Sequence, residues 1–133
     1  MNDWKPASIE DLEFKYISKV EAEVQGEEVH LYTSYGEHYK MHHAQDCCET
    51  VYLADITGDI EDLQNCLVLI AEEATQVGDG SNEDDSYGSH TWTFYKFQTS
   101  KGAVTLRWYG ESNGYYSESV DFVKEVPDDT AVC

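Results

Sequence analysis

The sequence predicts an α+β domain that is mainly antiparallel β-sheet, a meander of hairpins with one short helix near residues 60–66. Apolar and polar residues alternate over several short segments, which is the pattern of half-buried strands. Turns that contain glycine separate these segments. Tyrosine is abundant, with 10 copies, and aromatic side chains favour strands. A length of 133 residues fits a single domain spanning residues 1–133.

The N-terminal third alternates with a period of two. Val20, Ala22 and Val24 share one face, with charged residues between them. Gln25-Gly26 and Tyr35-Gly36 are typical of tight turns. Strands are therefore predicted over residues 18–24, 28–33 and 38–42, joined as a meander.

The middle of the chain predicts a short helix followed by a buried strand. Asp59 is a suitable N-cap for a helix over residues 60–66, with Ile60 and Leu63 facing inward. The continuous apolar run over residues 66–71 has the length of a central strand. Residues 77–89 are rich in Gly, Ser, Asn and Asp, which predicts a mobile acidic surface loop.

The C-terminal half has the clearest strand pattern. Val104, Leu106 and Trp108 alternate with polar residues, and Lys101-Gly102 precedes them as a turn. Asn113-Gly114 favours a type I′ hairpin, because both positions tolerate a positive φ. Val120 and Phe122 are expected to face inward on the returning strand. Strands are thus predicted over residues 91–98, 103–110 and 115–124, in an ordered core of about residues 8–126 with a flexible C-terminal tail.

Charge is the most unusual feature of the composition. The chain has 27 acidic and 8 basic residues, a formal net charge of −19. Such a field repels phosphates and anionic membranes, so direct binding to nucleic acid or to a membrane is not expected. It attracts basic surfaces instead, such as the nucleic-acid groove of another protein. The acidic residues predicted to contact such a partner are Glu21, Glu23, Glu28, Asp59, Glu61, Asp62, Glu83, Asp84 and Asp85, all expected on exposed faces or loops.

The sequence favours a cytoplasmic protein with reduced thiols. It has no apolar run of ~18 residues and no apolar segment near its N-terminus that would act as a secretion signal. The cysteines do not form a disulfide framework, because Cys47 and Cys48 are adjacent and Cys133 is the last residue. The oligomeric state is left open by these features.

A second hypothesis concerns a cluster of possible ligands at residues 42–49. A zinc or thiol site would use His43, Asp46, Cys47, Cys48 and the distant His90. Adjacent cysteines are poorly spaced for one structural zinc site, so buried thiols beside hydrogen-bonded histidines are favoured. The sequence therefore predicts no cofactor, with zinc as the alternative.

Three segments of the chain resemble a family of small proteins from phages and bacteria that is classed as a domain of unknown function. They are residues 43–49 (HAQDCCE, within the pattern HxQDCCE), 89–95 (SHTWTFY) and 107–117 (RWYGESNGYYS). The resemblance covers most of residues 15–123 and implies no reaction, substrate or catalytic residue. It implies a phage origin, where small acidic proteins often disable host machinery.

These observations lead to one main functional hypothesis and two alternatives. The main hypothesis is a phage-encoded inhibitor, not an enzyme, that binds a basic host defence protein or nuclease in the host cytoplasm, with carboxylates standing in for phosphates. The first alternative is the metal- or thiol-dependent domain centred on residues 42–49. The second is a domain that binds a small molecule in a tyrosine-lined pocket.

Overall fold

A computed structural model describes residues 3–43, 49–78, 89–112 and 118–126 as strands, short turns and connections. Two 3-10 turns, Ile9–Leu12 and Ile60–Leu63, are the helical elements of this described part, which contains no α-helix. None of its helical segments is long and apolar enough to cross a membrane. The strands are β1 (Asp3–Pro6), β2 (Tyr16–Glu21), β3 (Glu28–Thr33), β4 (His38–His42), β5 (Thr50–Thr57), β6 (Cys66–Gly78), β7 (Ser89–Thr99), β8 (Ala103–Ser112) and β9 (Asp121–Val126).

The strands form one antiparallel sheet of 9 strands in the order β1-β9-β4-β3-β2-β6-β7-β8-β5. We call β1, β9, β4, β3 and β2 the first half-sheet, and β6, β7, β8 and β5 the second half-sheet. The two are joined where Tyr16 and Ile17 of β2 pair with Leu67 and Cys66 of β6. A second join links Leu53 of β5, through two backbone hydrogen bonds, to the turn that follows β2. The sheet thus curls so that its last strand returns to the turn between β2 and β3.

Both half-sheets contribute to a single hydrophobic core. Phe122 of β9 stacks on Tyr39 of β4, with ring centroids 5.3 Å apart, and also lies 6.4 Å from the ring of Tyr95 on β7. Tyr95 and Trp108 are fully buried. Burial of large aromatic rings contributes much of the stability of small β-domains. The shared core explains why two half-sheets joined by so few residues stay together.

Much of the predicted local structure is confirmed. The β2, β3 and β4 strands form the predicted meander, and the turn at Lys101-Gly102 joins β7 to β8. The inward positions Val104, Leu106 and Trp108 are buried, as are Val120 and Phe122. These positions were predictable because period-two alternation is a local signal.

The predicted helix over residues 60–66 is instead a single 3-10 turn. Asp59 caps it as expected, since its side chain accepts a hydrogen bond from the backbone of Glu61. The turn ends because Gln64 is already extended; Asn65 then adopts a positive φ of 56°, and β6 begins at Cys66. The α+β class is therefore not supported, whereas the mainly antiparallel sheet is confirmed.

The final strand is shorter than predicted and pairs elsewhere. It starts at Asp121, and its neighbours are β1 and β4, not β8. The other neighbour of β8 is β5. The predicted turn at Asn113-Gly114 lies outside the described residues. A turn signal indicates where a chain reverses. Burial of Phe122 between Tyr39 and Tyr95 instead decides which strands β9 pairs with.

Two further boundaries differ from the prediction. The first predicted strand, over residues 18–24, is β2 at Tyr16–Glu21, and Val24 is exposed. Val20 and Ala22 pack against the core as the period of two predicts, but β2 ends at Glu21, so Val24 lies in the turn that follows the strand. The two ends of the loop predicted over residues 77–89 are strand instead, because β6 extends to Gly78 and β7 begins at Ser89. Its acidic centre, 79–88, and the predicted C-terminal tail lie outside the described residues.

Glu37 connects three parts of the first half-sheet. Its carboxylate accepts hydrogen bonds from the ammonium groups of Lys15 and Lys124, each at 2.9 Å, and from the Thr33 hydroxyl at 3.1 Å. Burial raises the pKa of Glu37, but the hydrogen bonds from Lys15, Lys124 and Thr33 outweigh it, so the net pKa lies below its ordinary value. Glu37 is therefore ionised in the folded protein.

We expect Glu37 to contribute to stability above the ordinary pKa of a glutamate, about 4.3, and to lose that contribution as the pH falls below it. The sign follows because the folded pKa is depressed, so the unfolded chain takes up the proton first. Urea denaturation of the protein and of Glu37→Gln at a series of pH values tests this. The two should differ near pH 7 and converge in acid; a difference that does not depend on pH would contradict it.

The turn at Gly58 offers a second test of the fold. Gly58 has a φ of +92°, and a Cβ there would collide with the backbone carbonyl of Ala103. Gly36 has a similar φ of +83° but open space around it. We expect Gly36→Ala to cost about 1 kcal/mol of unfolding free energy from backbone strain alone. Gly58→Ala should cost roughly 3 kcal/mol, because overpacking adds to the strain. Equal losses in chemical denaturation would show that the contact with Ala103 relaxes freely.

Candidate functional site

The structure gathers the first predicted acidic group around the turn between β2 and β3. Glu21, Glu23 and Glu28 line one shallow groove of about 440 Å³. Glu27 lies beside Glu28 on the same turn and lines the neighbouring cavity. We call Glu21, Glu23, Glu27 and Glu28 the acidic hairpin surface. All four residues are exposed, as predicted for the three of them that the sequence singled out.

Two carboxylates of the acidic hairpin surface are held in the ionised form. Hydrogen bonds from Lys19 and then Tyr32 lower the pKa of Glu21. A hydrogen bond from His30, 2.9 Å away, is the main cause that lowers the pKa of Glu28. These carboxylates therefore keep their charge over the neutral range and present it to solvent.

Glu28 also begins a chain of polar groups across the outer face of the first half-sheet. Its carboxylate contacts His30 Nε2; His30 Nδ1 lies 2.7 Å from His38 Nε2; and His38 Nδ1 lies 3.0 Å from a Glu125 oxygen. His30 Nε2 and His38 Nδ1 each donate to a carboxylate in this arrangement. The contact between His30 Nδ1 and His38 Nε2 then requires a proton on one of these two nitrogens. The ring of Tyr32 stacks on His38 at 4.3 Å and holds it in place. The chain thus fixes the position of Glu28 at the hairpin.

The second predicted acidic group has a structural use. Asp59 caps the 3-10 turn at Ile60–Leu63. The ammonium of Lys101 donates to the backbone carbonyls of Glu61 and Gln64, which places a cation beside this group. The surface around Asp59, Glu61 and Asp62 is therefore less acidic than the acidic hairpin surface. Glu83, Asp84 and Asp85 lie outside the described residues.

His43 and Glu49, the two ends of the first motif, form a buried pair. His43 Nε2 lies 2.6 Å from Glu49 Oε2, and the two side chains are 5% and 0% exposed. His43 Nδ1 donates to the backbone carbonyl of Ser119 at 2.6 Å, because a carbonyl oxygen can only accept. Nδ1 therefore carries a proton, and a further proton lies between Nε2 and the carboxylate. The pair thus joins residue 43, which follows β4, to residue 49, which precedes β5.

Glu118 is the second buried acid, and it connects the other two motifs. Its carboxylate accepts hydrogen bonds from Thr91 at 2.8 Å and from Ser112 at 2.5 Å. Its backbone carbonyl lies against Gly110, where a Cβ would come within 2.7 Å of the oxygen. Two residues on, the carbonyl of Val120 accepts from the Tyr95 hydroxyl at 3.4 Å.

The three motifs therefore meet at the extended segment 118–120, which leads into β9. His43 and Glu49 come from the first motif, Thr91 and Tyr95 from the second, and Gly110 and Ser112 from the third. We call His43, Glu49, Thr91, Ser112 and Glu118 the motif cluster. Its buried polar atoms bond to one another, which a buried polar network requires if it is to stabilise a fold.

A cavity of about 540 Å³ lies between the acidic hairpin surface and the motif cluster. Glu27 and Glu28 line one side, and His43 and Glu49 line the other, with His42 between them. Burial, and then the nearby charge of Lys40, lower the pKa of His42, so its imidazole is held neutral. The described residues that line this cavity include no lysine or arginine. Chemically, the cavity suits a cationic group that can donate several hydrogen bonds.

The alternative zinc or thiol site stays a prediction. Asp46, Cys47 and Cys48 lie outside the described residues, and the described part of the chain has no group of three possible metal ligands. Both ring nitrogens of His43 are already hydrogen-bonded, so a metal would have to displace Glu49 or Ser119. His90 lies 6.1 Å from the ring of Tyr109.

The remaining described cysteine is not a reactive group. Cys66 is buried in the core as a free thiol. Burial raises the pKa of that thiol, which disfavours the nucleophilic thiolate.

Glu49 belongs to the predicted ligand cluster at residues 42–49, but neither its burial nor that of Glu118 was predicted, although the sequence contains a signal for both. Glu49 has the same parity as the buried Val51 and Leu53, and Glu118 has the same parity as Val120 and Phe122. In each case the alternation of buried residues includes the acid, so its side chain lies on the core side of the chain. An acid in phase with a buried apolar series indicates a buried carboxylate with partners inside the fold.

We expect Glu118→Ala to lower the free energy of unfolding by about 2–3 kcal/mol, because Thr91 and Ser112 lose a buried acceptor. Glu111→Ala is the matched control, since Glu111 is an exposed acid near the end of β8. It should change stability by less than about 0.5 kcal/mol. Chemical denaturation of both variants checks this, and similar values for the two would mean that Glu118 is not part of a structural network.

The comparisons with known proteins identify a family for the chain. No curated protein and no solved structure matches the chain significantly. The family described as DUF7448, a domain of unknown function, matches residues 10–122. This range contains the acidic hairpin surface and the motif cluster. The chain belongs to this family of domains of unknown function.

Proposed function

We propose that this protein binds a basic surface of another protein through the acidic hairpin surface and the adjoining cavity. The partner we propose is a nucleic-acid-handling host protein, such as a defence protein or nuclease. Binding occludes the partner's nucleic-acid groove in the host cytoplasm, and the protein acts as a phage-encoded inhibitor, not as an enzyme. Carboxylates take the place of phosphates in this mechanism.

The single observation that carries the proposal is the composition of the cavity wall. Glu27, Glu28 and Glu49 line it, and no lysine or arginine is among its described lining residues. An arginine or lysine side chain from a partner would find carboxylate acceptors there. Because Glu49 is paired with His43, Glu27 and Glu28 are the carboxylates that would accept hydrogen bonds from the partner's side chain.

The distribution of the basic residues supports the same proposal. Seven of the eight cationic side chains contact acceptors or aromatic rings of their own chain. Lys15 and Lys124 bind Glu37, Lys19 binds Glu21, Arg107 binds Asp55, Lys40 lies over Trp4, Lys96 lies over Phe94, and Lys101 binds two backbone carbonyls. These cations are poorly placed to grip phosphates, so a basic protein is a better partner than nucleic acid.

Rigidity favours the hairpin over a loop as the binding surface. Glu21 and Glu28 lie at the ends of β2 and β3, where backbone pairing fixes their position. Lys19, Tyr32 and His30 fix the two side chains as well. A surface that is already ordered loses less conformational entropy on binding than a loop that must be ordered first.

The proposal predicts electrostatic capture of a nucleic-acid-handling protein. A pull-down from host lysate with the tagged protein should recover such a partner, and added DNA should compete with it. Association should slow as salt rises, because charges are screened beyond ~8 Å at physiological ionic strength. Stopped-flow or surface-based kinetics over a salt series measures this.

Charge reversal then locates the surface. Reversing Glu21, Glu23 and Glu28 together should slow association on the order of tenfold at low salt. Reversing Glu83, Asp84 and Asp85 is the matched control, because it changes the net charge by the same amount. It should have the smaller effect. Circular dichroism confirms that both variants fold, and partner binding that ignores salt and both reversals would refute charge mimicry.

A further inference from the structure

The β6 strand has a backbone edge that its neighbours leave open. It pairs with β7 from Val68 to Gly78, but β2 covers its other side only at Cys66 and Leu67. The adjoining backbone of Phe14 and Lys15 extends that cover to Val68. Beyond it, in the part of the chain that the structure describes, no strand pairs with the second edge of β6.

The direction of the backbone groups along this edge follows from one hydrogen bond. The Ala71 N–H points away from β7, because it donates to the carboxylate of Glu13 at 3.0 Å. Backbone groups alternate sides along a strand, so the N–H and C=O of Glu73 and Thr75 point the same way. Open groups of this kind form a template for an added strand. Because the Ala71 N–H is already bonded to Glu13, the part of the edge that can pair with an added strand begins after Ala71.

A groove of about 530 Å³ lies beside this edge. Glu73 lines it from β6, Pro6, Asp121 and Phe122 line it from the first half-sheet, and Val120 lines it from the segment that leads into β9. The lining is mainly apolar, which suits a ligand site that orients its occupant with few polar groups. The groove and the open edge therefore form one continuous surface.

The charge of this surface specifies the occupant. Glu73 makes no ion pair or hydrogen bond with a described side chain; it is exposed beside the groove, and partial burial of its carboxylate raises its pKa. Asp121 on the opposite wall and Glu72 on the strand add negative charge. A basic side chain delivered into the groove would offset the cost of burying the Glu73 charge.

We propose that the edge of β6 over Glu73 and Thr75 binds an extended, basic segment of a partner protein by strand addition. The added strand bonds to the open backbone groups, and its alternate side chains enter the groove beside Glu73. A second copy of this chain is disfavoured as the occupant, because it would place Glu72 and Glu73 against a like-charged edge. This surface differs from the acidic hairpin surface, so the proposal stands or falls independently of the function proposed above.

The test uses fluorescein-labelled eight-residue peptides and the full chain, followed by fluorescence anisotropy. A peptide that alternates valine and lysine should bind, and one that alternates valine and glutamate should not. Two isomers of the first peptide, N-methylated on alternate backbone amides, supply the decisive comparison. Strand addition uses amides on one side only, so one isomer should bind about tenfold more weakly than the other. Equal binding of the two isomers would overturn the proposal, because attraction by charge alone treats them alike.

Variants of the edge give the second arm of the experiment. Thr75→Pro removes one outward N–H, and proline is tolerated at such an edge position; Thr75→Val keeps the N–H as its control. Thr75→Pro should weaken peptide binding about tenfold relative to Thr75→Val. If Thr75→Pro does not fold, Glu73→Gln replaces it and should weaken binding several-fold, more at low salt.

Two outcomes would assign the surface differently and reject the proposal. Loss of peptide binding in the triple reversal of Glu21, Glu23 and Glu28, with the edge variants unaffected, would place the peptide on the acidic hairpin surface. Binding of the peptide only after residues 127–133 are deleted would identify the chain's own C-terminal segment as the occupant of the edge. Retention of binding in the triple reversal, together with the difference between the two isomers, supports the proposal.

Discussion

The fold depends on burying one apolar face of a nine-stranded sheet with a single chain of modest length. A flat sheet of this size would leave that face in water, so the sheet folds on itself and its two half-sheets share one core. Direct strand pairing between them is limited to the short contact of β2 with β6. Their association therefore relies on side chains that cross the core, with Phe122 between Tyr39 and Tyr95 at the centre. Hydrophobic burial of this kind is strong but not directional.

The hydrogen bonds of the motif cluster are directional, unlike hydrophobic burial, and they therefore restrict how the bonded parts are arranged. The segment 118–120 belongs to neither half-sheet, yet its backbone carbonyls and the carboxylate of Glu118 bond to β7, β8 and His43. A buried carboxylate without these partners would cost several kcal/mol, so alternative positions of the segment are disfavoured. These bonds bring together described residues of segments 43–49, 89–95 and 107–117, which are far apart in sequence. They fix one junction, and they need no catalytic role to do so.

Sequence patterns predicted this molecule wherever the signal was local. The alternation of Val104, Leu106 and Trp108 and the cap at Asp59 depend on near neighbours, and both were correct. The partner of β9 was predicted wrongly, because pairing depends on which core site accepts Phe122, and no turn residue specifies that. The exposed acids of the hairpin were also predictable, since polar residues opposite an apolar face lie in solvent. The burial of Glu49 and Glu118 was missed because high net negative charge makes every acid resemble a surface residue. Their parity with the neighbouring apolar series was the better guide.

The acids in the described part of the chain therefore include two classes that the net charge of −19 conceals. Glu37 and Glu118 each accept hydrogen bonds from more than one group within the fold, and Glu49 pairs with His43, so these acids hold its parts together. The acids of the hairpin surface are exposed; Lys19, Tyr32 and His30 keep Glu21 and Glu28 ionised without joining distant parts of the fold. Clustered like charges repel one another and oppose compact folding, so they are not explained by stability. A basic partner that approaches this surface relieves the repulsion as it binds. The physical case for a binding role consequently rests on the second class, whose carboxylates are exposed to solvent and bond directly only to neighbouring side chains.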